Sequence, residues 1–124
     1  MIGLMKTVSS IAVNDVGAAN RFYRESVGLD VTSDERGVLW LRIDEDNSVL
    51  VYPKPGHEPA TYTVLNFMVE DVAQAVDELA AAGVQMLRYD GFPTDDRGIH
   101  HTAARSIAWF ADPAGNVLSV AQER

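Results

Sequence analysis

The chain contains no cysteine, which excludes disulfides, thiolate zinc sites and cysteine nucleophiles and leaves packing to hold the fold together. No apolar run reaches the roughly eighteen uncharged residues of a membrane span, and Met1–Lys6 is too short for a signal-peptide core, so a cytoplasmic location is the expectation. Basic residues are scarce: ten Lys and Arg stand against eighteen Asp and Glu, for a formal charge of −8. Those few cations are scattered, and binding to phosphate backbones or anionic membranes needs them clustered, so neither nucleic acid nor membrane is expected as a partner. The acidity reads as a solubilising surface. The phosphate-binding patterns GxxxxGK and GxGxxG are also missing, and no Ser-His-Asp order stands out.

What the chain does have is a repeat. Its 124 residues, 47% of them apolar, suffice for one domain with a sizeable core, residues 1–124. The segment VSSIAVNDVGAANRFY, Val8–Tyr23, lies without a gap on VLNFMVEDVAQAVDEL, Val64–Leu79, 56 positions later, and the match superposes Asp15 on Asp71. In each copy a strand-like apolar stretch runs into the Asp and a helical pattern leaves it. The carboxylate is a helix N-cap, and Gln74 stands where it would complete a capping box in the second copy. Val16, Ala19, Phe22 and Tyr23 then share one helical face, as do Val72, Ala75, Val76 and Leu79, so both helices should pack inward.

Gly28 and Gly83 stop the helices. Strand-like runs follow at Leu29–Thr32, Val38–Ile43 and Ser48–Tyr52 in the first half, and at Val84–Tyr89, Ser106–Phe110 and Val117–Gln122 in the second. The expected fold is α+β: two tandem βαβββ modules, the first at about residues 7–52 and the second at about 64–122. A Pro-rich connector occupies about 53–63. The stretch Asp90–Arg105 has no apolar period and reads as a long loop, either a functional lid or a plain surface excursion.

Two segments resemble the vicinal oxygen chelate superfamily, which includes the glyoxalase, bleomycin-resistance and dioxygenase proteins. DVGAANRFYRESVGL, Asp15–Leu29, is similar to the family's Asp, helix ending in Phe-Tyr, and following Leu-Gly or Val-Gly step. IAWFADPAGNVLSV, Ile107–Val120, is similar to its late strand, Asp-Pro-x-Gly-Asn turn and final strand; Asp112 and Pro113 set such a turn, and Gly115 and Asn116 tolerate positive φ. The resemblance runs from about Thr7 to Gln122. It implies a curved eight-stranded mixed sheet around a concave pocket, helices on the outside, and a homodimer.

In metal-using members of that family the resemblance places ligands on the first and last strand of each module. Those positions are Val8, Val64 and Ser119 here, with Leu50 as the first-half counterpart of Ser119. Three hydrocarbon side chains and one hydroxyl do not make a divalent-cation site, so neither metal nor other cofactor is expected. His57, His100, His101, Asp95 and Asp96 lack the spacing of a replacement set. If His100 and His101 lie on a strand, they point to opposite faces.

Strand alternation then nominates a small-molecule site: Ser10, Leu50, Tyr52, Asn66, Met68, Trp109 and Ser119, a mostly apolar lining with a few polar groups. Trp40, Trp109, Tyr62 and Tyr89 offer stacking surfaces or core packing. Asn66, inside VLNFMV, needs a partner from backbone, water or ligand. His100 or His101 is the candidate general base, since imidazole titrates near neutrality; capping explains Asp15, Glu70 and Asp71. The favoured reading is a metal-independent protein that binds and sequesters a small organic molecule. The alternatives are a lyase, isomerase or dioxygenase acting on a small substrate, and a non-catalytic dimeric module with a closed pocket.

Overall fold

The computed structural model describes residues 2–124. It divides into two compact units, one ending at His57 and the other beginning at Glu58, so the division falls inside the Pro-rich connector. Each unit is a βαβββ-like module with its own four-stranded mixed sheet.

In the first module β1 (Ser9–Val13) leads into α1 (Val16–Arg21), a π turn (Phe22–Ser26), β2 (Asp30–Ser33), β3 (Leu39–Asp44) and β4 (Asn47–Pro53). The sheet order is β1-β4-β3-β2, with β1 parallel to β4 and the other pairs antiparallel. A parallel neighbour requires a crossover, and the helical segment supplies it. Alternation sorts the side chains: Ile11, Val13, Leu39, Leu41, Val49 and Val51 are buried. The opposite parity, with Ser10, Trp40, Arg42, Leu50 and Tyr52, is half-buried or exposed. Ala19 and Tyr23 are the buried residues of the helical segment.

The second module repeats this plan with β5 (Thr63–Met68), α2 (Val72–Ala81), β6 (His100–His101), β7 (Arg105–Ala111) and β8 (Val117–Glu123). Its order is β5-β8-β7-β6, again with the first strand parallel to the last. The repeat extends to backbone angles. Asp15 has φ −138° and ψ 102°, Asp71 φ −138° and ψ 101°. Each carboxylate accepts from the amide three residues on, Ala18 at 3.0 Å and Gln74 at 3.1 Å. Gly28 (φ 84°) and Gly83 (φ 88°) take the left-handed conformation that ends each helical segment.

Several sequence expectations are corrected. The helical face around Phe22 and Tyr23 is not plain α-helix: the Val27 amide reaches back five residues to the Phe22 carbonyl, at 3.0 Å, in a π turn. Tyr23 is thereby fully buried, with the Phe22 ring edge-on at 5.2 Å. Gln74 closes no capping box, because its side-chain amide donates to Glu78 at 3.2 Å. Gln122 on β8 serves the helix start instead, accepting from the Val72 amide at 3.0 Å.

The expected strand at Val84–Tyr89 is reduced to a single bridge, Leu87 to Trp109. The rest of β7's outer edge is taken by β6, formed by two residues expected to lie in a loop: His100 pairs with Ile107 and His101 with Ser106. A tight reversal at residues 101–105, closed by the Thr102 amide on the Arg105 carbonyl at 2.8 Å, brings this partner in at small loop-closure cost. Arg88 turns away to organise the loop, donating to Thr94 Oγ1 at 2.6 Å and to the Asp95 and Asp96 carbonyls at 2.9 and 3.1 Å.

In the Asp-Pro-x-Gly-Asn turn only Gly115 has positive φ, 85°. Asn116 acts through its side chain, donating to Asp112 Oδ2 at 2.9 Å, while Asp112 Oδ1 accepts from the Ala114 and Asn116 amides. Both residues are buried, so the pair satisfies polar groups that burial would otherwise penalise.

Gly98 combines φ 88° with an imagined Cβ only 2.8 Å from Met86 Cβ. Gly98→Ala is therefore expected to destabilise the protein by about 2–3 kcal/mol through left-handed strain and overpacking, measured as a lowered urea midpoint with unchanged slope.

Candidate functional site

Strand register brings the nominated residues together within each module, on the face of the sheet opposite the helix-packed core. Ser10 lies opposite Leu50, and Leu50 opposite Trp40, which faces Thr32. Asn66 lies opposite Ser119, and Ser119 opposite Trp109. Because Ser10 and Asn66 are equivalent in the repeat, Leu50 is the register counterpart of Ser119 and Trp40 that of Trp109. Tyr52 pairs with Ala12 and Met68 with Ala121, one step along the same faces. Met68 is 56% exposed.

The polar residue inside VLNFMV has a side-chain partner: Ser119 Oγ donates to Asn66 Oδ1 at 2.7 Å. Ser119 is fully buried, so its hydroxyl is committed to the sheet. Of the other three positions where the family carries metal ligands, Val8 is 43% exposed and Val64 and Leu50 are half-buried hydrocarbons. This set does not fit a divalent cation, which takes several oxygen or nitrogen donors at about 2 Å. Among the described residues no group of three or more His, Asp or Glu is gathered in a metal-binding arrangement.

A cavity of about 510 Å³ opens on this face of the first module. Its sheet side is formed by Trp40 and Arg42, neighbours of equal parity on β3, with the hydroxyl-bearing Thr32 and Ser48 beside them. The segment Lys6–Val8 forms another wall, and Glu45 and Asp46 from the β3–β4 turn complete the lining. Sequence reasoning offers Trp40 as a stacking surface or core residue and Val8 as a vacated ligand position, nominates neither for the binding site, and misses Arg42, whose signal is its spacing of two from Trp40. The cavity is displaced from the nominated Ser10, Leu50 and Tyr52 toward the turn.

On the second module the equivalent tryptophan is covered. The His100 ring stacks on Trp109 with centroids 6.2 Å apart and planes 29° apart. Tyr89 and Phe92 meet Trp109 edge-on at 5.5 and 5.6 Å. His100 Nδ1 donates to the Pro93 carbonyl at 2.7 Å, which holds the imidazole in place.

His101 points to the other side of its strand. Arg124 donates to Ser106 Oγ at 2.6 Å and to His101 Nδ1 at 3.2 Å. Nδ1 is therefore an acceptor, shared with the Ser106 hydroxyl at 2.8 Å, and Nε2–H donates to Asp95 Oδ2 at 2.8 Å. The chain order Asp95, His101, Ser106 was not noticed in the sequence. It does not make a nucleophile here: Ser106 is 4% exposed and its oxygen is already engaged by Arg124. The network fastens the loop and the end of β8 to β7. Burial works to raise the Asp95 carboxyl, but hydrogen bonds from His101 and the Ile99 and Arg97 amides outweigh it and hold the group below its ordinary value.

The family profile of the Glyoxalase/Bleomycin resistance protein/Dioxygenase superfamily matches residues 5–120. The chain belongs to this superfamily. TnmS3, an antibiotic binding protein from Streptomyces sp. CB03234, has a similar structure with TM-score 0.75 and 27% identity, over 100% of this chain and 99% of that one. A glyoxalase/bleomycin resistance protein from the same strain gives 0.64 and 29%, over 91% and 96% of the two chains. A lactoylglutathione lyase from Agrobacterium tumefaciens gives 0.66 at 16% identity, over 95% and 92%, a likeness of fold alone. No curated protein sequence matches the chain significantly.

A carboxyl whose folded pKa lies below its unfolded one adds stability above the ordinary value, 3.8, and loses it as pH falls through the lowered folded value. Asp95→Asn is expected to lower stability at neutral pH, with the gap to the parent narrowing below pH 3.8; chemical unfolding across pH measures this.

Proposed function

We propose that this chain binds a small organic molecule without a metal and releases it unchanged, as a sequestering protein does. One observation carries the reading: the position of the family's last metal ligand holds Ser119, a buried hydroxyl already spent on Asn66 at 2.7 Å. Val8, Leu50 and Val64 offer no donor at the other three. The fold is kept while the donors are gone, which suits binding rather than Lewis-acid chemistry. The similarity to TnmS3, an antibiotic binding protein, supports the same reading. The cavity on the first module, about 510 Å³, falls in the range of small-molecule sites, roughly 300–1,000 Å³.

The joining of the two sheets into one curved eight-stranded surface around a concave pocket is part of this proposal, as is the homodimer that the family resemblance implies. Ser10, Leu50, Tyr52, Asn66 and Met68 are proposed to contribute to that surface directly; Ser119, fully buried, supports it through its bond to Asn66, and Trp109 through the rings laid against it. The alternative, a lyase, isomerase or dioxygenase, needs a base. His101 has both ring nitrogens engaged, by Asp95 on one side and by Ser106 and Arg124 on the other, so it is not disposed to accept a substrate proton. His100 donates through Nδ1 to Pro93, which leaves its Nε2 as the base that the enzyme reading requires.

A thermal-shift screen against a chemically broad library is expected to yield a stabilising compound that mass spectrometry recovers intact after prolonged incubation. Conversion of that compound by the protein would remove the sequestration reading in favour of the enzyme.

A further inference from the structure

The two tryptophans of the chain stand at the same register position of the repeat but in different company. Trp109, opposite Ser119, carries a flat heteroaromatic ring from its own module: the His100 imidazole, stacked at 6.2 Å with an interplanar angle of 29°. Trp40, opposite Leu50, has no aromatic partner among the described residues, and it lines the open cavity of about 510 Å³. An indole face is poorly hydrated and attracts flat rings and cations. In the second module the chain supplies that ring itself; in the first it leaves the space.

Beside Trp40, two residues along the same strand and on the same side, stands Arg42. Among the described residues no hydrogen bond or ion pair engages its guanidinium. A guanidinium presents several donors in a plane and matches a carboxylate or other oxygen acceptors. Glu45 and Asp46 lie on the β3–β4 turn and are exposed, so water screens their repulsion of an anion.

We infer that the ligand of the first-module cavity is a planar aromatic compound bearing an oxygen acceptor or anionic group on one edge. Its ring stacks on Trp40 as His100 stacks on Trp109, and its acceptor edge is held by Arg42. This rests on the small-molecule-binding reading and gives it a chemical class. Area and ring shape supply the affinity, while the guanidinium fixes the orientation.

The test compares two probes by isothermal titration calorimetry on the full chain: naphthalene-2-carboxylate, and its saturated counterpart decahydronaphthalene-2-carboxylate, of like charge and similar volume but not flat. The aromatic acid is expected to bind about tenfold more tightly or better. Trp40→Leu should erase that preference, Trp40→Phe should keep part of it, and Arg42→Gln should weaken the aromatic acid. Urea unfolding verifies that each variant is folded, and Trp40→Phe serves should Trp40→Leu not be. Equal binding of the two acids, or a preference unchanged in both Trp40 variants, overturns the stacking inference while leaving small-molecule binding intact. Binding of neither acid at about 1 mM also overturns it; the broad thermal-shift screen judges the binding reading separately.

Discussion

The parallel pairing of the first and last strands in each module is the constraint on which the site depends. Such a pair cannot be closed by a hairpin, so the chain must leave the sheet and return, and each capped helical segment makes that passage. The pairing also decides which side chains meet. It sets Ser10 beside Leu50 and Asn66 beside Ser119, and with the period-two alternation of strands it puts both pairs on the face away from the helix-packed core. Leu50 and Ser119 are also two of the four positions where the family resemblance places metal ligands, and with Val8 and Val64 at the other two the chain offers three hydrocarbon side chains and one hydroxyl there.

The modules share a plan and differ in how they finish it. In the first, β2 and β3 form an ordinary antiparallel pair and leave Trp40 facing a cavity. In the second, the outer edge of β7 is divided between Leu87 and the short β6, and the intervening loop lays aromatic rings on Trp109. Arg88, Gly98 and the Asp95–His101–Ser106–Arg124 network hold that loop in shape. A duplicated architecture thus leaves one tryptophan facing a cavity and covers the other with its own module's side chains.

Much of this was legible in the sequence because it is local. The Asp15 and Asp71 caps, the glycine helix stops and the Asp-Pro-x-Gly-Asn turn are set by residues within a few positions of one another, and the alternation of the first module's strands is strong. The strand wrongly expected at Val84–Tyr89 had strand-like composition, but composition does not say which of two segments wins an edge. His100 and His101 won it by closeness in the chain to Ser106 and Ile107. The Asn66–Ser119 bond spans 53 residues, and the group that needs it is the fully buried Ser119 hydroxyl rather than Asn66, which is exposed, so neither the need nor the partner was readable locally. Arg42 was overlooked for a related reason: its meaning comes from a cavity built by segments far apart in sequence.

The central claim is that this member of the superfamily has kept the fold and given up the metal. Calorimetric titration of the chelator-treated protein with Ni²⁺, Zn²⁺ and Mn²⁺ tests it most directly. The account predicts no saturable stoichiometric binding of any of the three, and unchanged small-molecule binding when metal is added. One tightly held equivalent, abolished by substitution at Ser119 or Asn66, would contradict it.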